Sequence, residues 1–266
     1  MALVKWCRWF LRQDVDDLAL PQSMPPVEEP FPTYDRDGLR TVHDHSFLSE
    51  PSFRKAYDRG VRAAGDYGWQ WRVHIGLWAA KTASRLAGDF VECGVNRGFL
   101  ASAVMEYLDW DSLGKQFYLL DTFSGLDDRY LTSEDRMGGA LEKNRHSIET
   151  GFYVQDIESV VSNFSQWTNV RIIQGPVPET LGQVVAEKIA FLHLDMNCAF
   201  PEVAAVDRLW NRLVSGALIL LDDYAYFGYG VQKAAMDKAM KGKGVSIVSL
   251  PTGQGLIIRP PEGPTG

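Results

Sequence analysis

From residue 89 onward, short unbroken apolar runs alternate with longer stretches that mix apolar and polar positions at helical spacing. The runs are DFVECGV (89–95), QFYLLDT (116–122), VRIIQG (170–175), IAFLHLD (189–195), ALILLDDY (217–224), VSIVSL (245–250) and GLIIRP (255–260). A strand with one face in water alternates apolar and polar residues, so runs without alternation belong to a sheet covered on both faces. Helical segments fall near 98–109, 157–166, 178–187, 201–214 and 230–241. This order predicts an α/β fold, a mostly parallel, doubly wound seven-stranded sheet with helices on both faces. The last two runs are joined only by PTGQ (251–254), too short for a crossover, so they pair as a C-terminal antiparallel hairpin.

Upstream the pattern changes. Residues 51–86 read as helical, with Trp69, Trp71, Ile75, Leu77 and Trp78 as the apolar surface. Residues 14–50 are rich in Pro, Asp and Glu, and PQSMPPVEEPFPTYDRDG (21–38) excludes helix and regular sheet, leaving an extended arm or lid. The opening MALVKWCRWFLRQ interleaves aromatics with Lys5, Arg8 and Arg12, unlike the unbroken core of a signal peptide. It reads as an amphipathic helix packed on the protein's own body or a second subunit, a membrane surface being the alternative. The chain thus divides into an N-terminal helix and arm (1–50) and a main domain (51–266) with its core at 85–260. Within that core the polar span 126–156 sits where one short helix would suffice. It is either a lid over a substrate or a solvated excursion.

A net charge of −7 and the lack of any basic run argue against nucleic acid, and no apolar stretch is long enough to cross a bilayer. The three cysteines, Cys7, Cys93 and Cys198, are widely separated and form neither a metal spacing nor a disulfide framework, which suits a reducing cytoplasm. Cys93, inside a strand, reads as a small hydrophobe.

Ligands of open α/β sheets sit beyond the carboxyl ends of the strands, so chemistry is sought there. The first strand ends in Glu92-Cys93-Gly94-Val95-Asn96-Arg97-Gly98. Its glycines permit a tight turn, but their spacing is not that of a dinucleotide site, and Glu92 would repel a pyrophosphate while tolerating a cationic ligand. Asp121 ends the second strand, placed either to accept from a ribose diol or to cap a helix; Phe123 is available to stack on adenine. Glu92 and Asp121 together suggest a nucleoside without phosphate. A nicotinamide oxidoreductase on the same architecture lacks its glycine triad. Asp195 ends the fourth strand and Asp222-Asp223 the fifth. If those strands are neighbours, three carboxylates converge and hold a hard divalent cation such as Mg2+. The alternative is that Asp222 pairs with an arginine and Asp223 caps a helix.

DFVECGVNRG (89–98), LLDTFSGLDD (119–128), GFY (151–153), HLD (193–195), GALILLDDY (216–224) and GQGLIIR (253–259), in this order and spacing, resemble the macrocin O-methyltransferase (TylF/MycF-like) family of class I, Rossmann-like, S-adenosylmethionine-dependent methyltransferases. The resemblance covers residues 85–260. It implies S-adenosylmethionine held by Glu92, Cys93, Gly94, Val95 and Asn96 and by Asp121, Thr122, Phe123, Ser124 and Gly125, with Gln174 and Gly175 near the adenine. It implies Mg2+ held by Asp195, Asp222 and Asp223, and as acceptor a sugar hydroxyl of a glycosylated metabolite or glycan. An arm closing over the site or a homodimer contact is also implied. One position departs from the family: the second acid, suggested there as the general base, is here Asn197, which accepts no proton. The base is then Asp195 itself, or a histidine, His193 or His146, unless the acceptor is acidic enough to need little help; a non-catalytic binding relative is the other reading.

Overall fold

The computed structural model describes residues 31–261; the segment expected to form the N-terminal helix and the first part of the arm lie outside the described residues. The described part of the arm opens with an antiparallel pair, β1 (Tyr34–Arg36) and β2 (Leu39–Thr41). Regular sheet therefore forms where the prolines were taken to exclude it. The last proline of the arm is Pro32. Past it, Asp37 and Gly38 both have positive φ, 52° and 73°, as a two-residue hairpin turn requires.

The helical stretch expected across 51–86 is two helices, α1 (Pro51–Ala64) and α2 (Gln70–Ala83). Gly65 and Gly68 interrupt it at φ 97° and 75°, conformations that glycine adopts without steric cost. Then come β3 (Asp89–Cys93), α3 (Phe99–Leu108), β4 (Phe117–Asp121), α4 (Ser133–Met137), α5 (Ala140–Glu149), α6 (Ile157–Phe164), β5 (Val170–Gln174), β6 (Ile189–Leu194), α7 (Ala199–Leu209), β7 (Leu213–Leu221), α8 (Gly230–Gly242), β8 (Val248–Ser249) and β9 (Gly255–Ile258). The helix expected at 178–187 is only a 3-10 turn, Glu179–Gln183, because Pro176 and Pro178 remove two backbone donors just before it. The segment 201–214 ends its helix at Leu209, and Leu213 already belongs to a strand. The span 126–156 carries α4 and α5 rather than bare loop; the Thr132/Asp135 capping box that starts α4 was legible as a Thr-x-x-Asp spacing.

The sheet order is β5-β4-β3-β6-β7-β9-β8. β3 to β7 are parallel, and β9 runs antiparallel to both β7 and β8. Alternate residues separate the two covered faces. Phe90, Phe117, Phe191 and Leu218 face Phe53 and Tyr57 of α1, Val73 and Leu77 of α2, and Val104 of α3. Val91, Cys93, Leu192, Leu194 and Ile219 face Val206 and Leu209 of α7 and Met236 and Met240 of α8. Trp110 is fully buried against Phe90 and Phe117, ring centroids 5.1 and 5.2 Å away, and its indole donates to the Asn169 carbonyl at 2.8 Å.

The chain leaves β3 toward β4 and β5, then returns to β6 on the other side of β3, so a crevice opens between the ends of β3 and β6. There the two backbones nearly touch. A Cβ on Gly94 (φ 89°) would lie 1.8 Å from the Asp195 carbonyl oxygen. Gly94→Ala must force these strand ends apart. We expect it to cost about 3 kcal/mol or more in a urea-unfolding midpoint, or to abolish folding; an unchanged midpoint would show that the contact is dispensable.

Candidate active site

Asp121 ties the two strand-end loops together. Its Oδ2 accepts from the backbone amides of Val95 and Asn96 at 2.7 and 2.8 Å, and Oδ1 from the amide of Phe123 at 2.7 Å. The last bond holds Phe123 at φ 51°, a strained conformation for a bulky residue. The ring turns into the core, so Phe123 offers no stacking face for adenine, contrary to the sequence reading. Asn96, also left-handed at φ 50°, donates to the Phe152 carbonyl at 3.0 Å and accepts from Val154 N at 2.8 Å, which fastens the end of the 126–156 span to the β3 loop.

A cavity of about 390 Å3 opens beyond these loops. Glu92, Gly94, Val95 and Asn96 line it from β3, Asp121, Thr122 and Gly125 from β4, and Gly175 from β5. Cys93 and Phe123 are in the core, and Ser124 and Gln174 face solvent, so these four candidates do not line the cavity. His193, Asp195, Asp222 and Asp223 line its other end. The 126–156 span contributes Tyr130, Lys143, His146 and Tyr153, and Tyr67 and Trp69 close it from the linker between α1 and α2. Tyr67 packs on Trp69 and Phe152 with centroids 4.5 and 5.3 Å apart.

Strand register assembles the charged end. Glu92 pairs with His193 across β3 and β6, and His193 with Leu220 across β6 and β7. Asp222, two residues past Leu220, therefore emerges on the same face. His193 is 2% exposed, its Nδ1 3.5 Å from Glu92 Oε1 and its Nε2 3.7 Å from Asp222 Oδ1. These separations exceed hydrogen bonds, so the attraction is coulombic. Burial opposes the imidazolium, but the carboxylates on both sides prevail and raise its pKa to about 10. The imidazolium is favoured in this setting, which places His193 as a charged partner of Glu92 and Asp222 rather than as a free base.

Asp195, Asp222 and Asp223 converge as expected, each offering an oxygen within 4.8 Å of the others. The arginine of the alternative reading is present as well. Arg72, in the first turn of α2 and 7% exposed, donates from Nη1 to Asp222 Oδ2 and from Nη1 and Nη2 to Asp223 Oδ1 at 3.2 and 3.3 Å. Its Nε donates to Asp37 Oδ2 at 3.0 Å, and Tyr226 lies under the guanidinium at 4.4 Å. Asp222 Oδ1 accepts from Gln254 Nε2 at 2.9 Å. Asp223 caps no helix, since α8 begins only at Gly230. Sequence reasoning missed Arg72, Tyr226 and Gln254. The one signal for Arg72 was the need for positive charge beside two adjacent acids, which does not say where along the chain it lies.

Two side-chain cations, Arg72 and His193, face five carboxylates: Asp37, Glu92, Asp195, Asp222 and Asp223. The surplus shows in the titration of the group. Burial, then the neighbouring Asp222 and Asp223, lifts Asp195 well above the usual carboxylate range; burial and Asp222 raise Asp223 to about 6. Asp222 resists its burial because Arg72 holds it below that range. Asp195 Oδ1 accepts from Asn197 Nδ2 at 3.3 Å. Asp195 Oδ2 and Asp223 Oδ2 accept no hydrogen bond among the described residues. An all-oxygen donor set, free lone pairs and surplus negative charge fit a hard divalent cation. At the other end, Glu92 Oε2 is buried without a hydrogen-bond partner among the described residues, an acceptor in the cavity wall that fits a cationic ligand.

The Asp121 staple can be tested alone. Asp121→Ala strands three loop amides, and we expect it to cost about 2–4 kcal/mol in urea unfolding; no loss would mean that the loops hold themselves.

The family model of macrocin-O-methyltransferase (TylF) matches residues 78–244. Among curated proteins, the 8-demethyl-8-(2,3-dimethoxy-alpha-L-rhamnosyl)-tetracenomycin-C 4'-O-methyltransferase of Streptomyces olivaceus is 26% identical over 151 residues, 54% of this chain and 55% of that protein. The match thus spans about half the length of that relative. Among solved structures, the O-methyltransferase NovP matches with a TM-score of 0.64 and 18% identity over 82% of this chain and 100% of that one. The calicheamicin methyltransferase CalS11 matches with a TM-score of 0.56 and 17% identity over 82% and 94%. At such identities the likeness is one of fold, and the fold is that of Rossmann-like methyltransferases. With the family model matched over more than half of its length, the chain belongs to the macrocin-O-methyltransferase (TylF) family.

Proposed function

We propose that this protein transfers a methyl group from S-adenosylmethionine to a hydroxyl of a sugar carried by a natural product, with Mg2+ bound by Asp195, Asp222 and Asp223. The observation that supports this reading best is one continuous cavity. It has glycine-rich strand ends and Asp121 at one side and converging carboxylates at the other. The Streptomyces olivaceus relative, named for a rhamnosyl tetracenomycin, points to a deoxysugar acceptor. The aromatic wall of Tyr67, Trp69 and Phe152 suits an apolar aglycone and keeps water from the reacting atoms.

S-adenosylmethionine supplies an electrophilic methyl and loses its positive charge on transfer, so a pocket with surplus carboxylates favours it over its product. Bound Mg2+ lowers the pKa of a hydroxyl beside it. The remaining work falls to the chain. Asp121, though engaged by three amides, keeps lone pairs for ribose hydroxyls, and Gly94, Val95, Asn96, Thr122, Gly125 and Gly175 bring wall and backbone close to the nucleoside. His193 and Gln254 fix the orientation of Asp222. Asn197 donates to one oxygen of Asp195 and leaves the other to take the acceptor's proton. In this reading the 126–156 span acts as the lid over the acceptor. The enzyme works as a homodimer in the cytoplasm, where its buried free thiols Cys93 and Cys198 stay reduced. Among the described residues, no helix is long and apolar enough to cross a membrane.

Two variants test the assignment, using methyl transfer from labelled S-adenosylmethionine to a panel of rhamnosylated polyketides. Asp222→Asn should lower kcat about 100-fold or more while calorimetry finds the S-adenosylmethionine affinity within about threefold of wild type, and EDTA should abolish wild-type turnover. Turnover indifferent to both, or no S-adenosylmethionine binding, would sink the reading. Asn197→Asp supplies a second proton acceptor beside Asp195 and should raise kcat about tenfold or more. A fall instead would mean that the neutral amide is needed to limit the negative charge of the cluster.

A further inference from the structure

The acid cluster already contains a cation. Arg72 stands in the first turn of α2, where the partial positive charge of the helix end disfavours it, and it is buried. A guanidinium persists in such a place only where carboxylates hold it on several sides. Asp222 and Asp223 do so on one side, and Asp37 of the β1–β2 hairpin on the other. Tyr226 gives it a ring face at 4.4 Å and donates its hydroxyl to Asp37 at 3.0 Å. The guanidinium is thus shared between two seats. The inner seat, Asp222 and Asp223, supplies two of the three carboxylates that converge as candidate ligands. The outer seat is Asp37, from the β1–β2 hairpin, which supplies none of them, with Tyr226 from the loop that follows Asp223.

Two cations that draw on the same carboxylate oxygens repel one another, and in a buried site that repulsion is weakly screened. Arg72 cannot leave its outer seat cheaply either, because a guanidinium stays charged at any working pH. Resting on the reading of Asp195, Asp222 and Asp223 as a divalent-cation site, we propose that Arg72 sets the affinity of that site. It is a resident counter-cation that competes for Asp222 and Asp223, and it withdraws onto Asp37 and Tyr226 when the ion enters. The exchange is of one cation for another, without bond-making. It couples occupancy of the site to the hairpin that carries Asp37.

The test is Mn2+ binding to the full chain, by calorimetry and by electron paramagnetic resonance of free Mn2+, in wild type, Arg72→Met and Arg72→Lys. The Met variant should bind Mn2+ about tenfold or more tightly than wild type, and the Lys variant, which keeps the charge, within about threefold of it. In wild type labelled with nitrogen-15 at arginine, Mg2+ should release the Nη protons of Arg72 to solvent exchange while its Nε proton, bonded to Asp37, stays protected. The Arg72 signals are those missing from the Lys variant. Wild type that binds Mn2+ while Arg72→Met binds it equally or less tightly overturns the proposal but leaves the metal site standing, since the guanidinium would then only be orienting ligands. Binding by Arg72→Met alone supports the competition and refutes Mg2+ dependence of the native enzyme, and binding by neither refutes both. If the Met variant folds only with Mn2+, the exchange of cations is supported. If it folds in neither condition, the wild-type signals decide, and Nη protons still protected at saturating Mg2+ overturn the proposal.

Discussion

A buried charge surplus is the constraint around which this molecule is organised. Five carboxylates gather where β3, β6 and β7 end, and the described chain sets two side-chain cations against them. Carboxylates at such quarters either find positive partners or take up protons. The result here is divided. Asp222, gripped by Arg72 and flanked by His193, stays ionised with ease, while burial and the neighbouring carboxylates push Asp195 and Asp223 upward even though Arg72 also reaches Asp223. A site in that condition is primed for a ligand that brings positive charge, and methyl transfer from a sulfonium fits it, because the donor arrives charged and leaves neutral.

Precision at that site comes from backbone, not from the acids themselves. Parallel pairing fixes Glu92 against His193, and the period of two along β7 carries Asp222 to the same face. Gly94 lets β3 and β6 converge until a single added carbon would collide with the Asp195 carbonyl. Asp121 then stitches the β3 and β4 loops through three amides and holds Phe123 in a conformation it would not adopt alone. The floor of the cavity is rigid for these reasons. The 126–156 span gives the cavity part of its wall and is tied to the body through Asn96 to Phe152 and Val154, Arg97 to the Gly151 carbonyl, Tyr130 to Glu179, and Lys143 to the Gly228 carbonyl.

The position of Asn197 deserves comparison with what surrounds it. Its left-handed φ of 55° suits asparagine, and its amide donates to Asp195. An aspartate there would add a sixth carboxylate to a group already short of cations.

The sequence by itself determined the sheet. Continuous apolar runs mark the strands, and all seven appear at their places; the central β3, β4, β6 and β7 are buried on both faces, which demands such composition, while the edge strands β5 and β8 are partly exposed. It also marked which strands end in acid, because charge at the end of an apolar run is a local feature. Where local signals competed, the reading erred. Prolines hid the Asp37-Gly38 turn, Gly65 and Gly68 split an apparent helix, and an apolar ring at Phe123 looked like a stacking platform although its backbone turns it inward. What only the tertiary structure decided is who meets whom. Arg72 and Asp222 lie 150 residues apart in the chain. The need for a cation was written beside Asp222, but its identity and direction of approach depend on how α2 crosses the sheet, which no periodicity encodes.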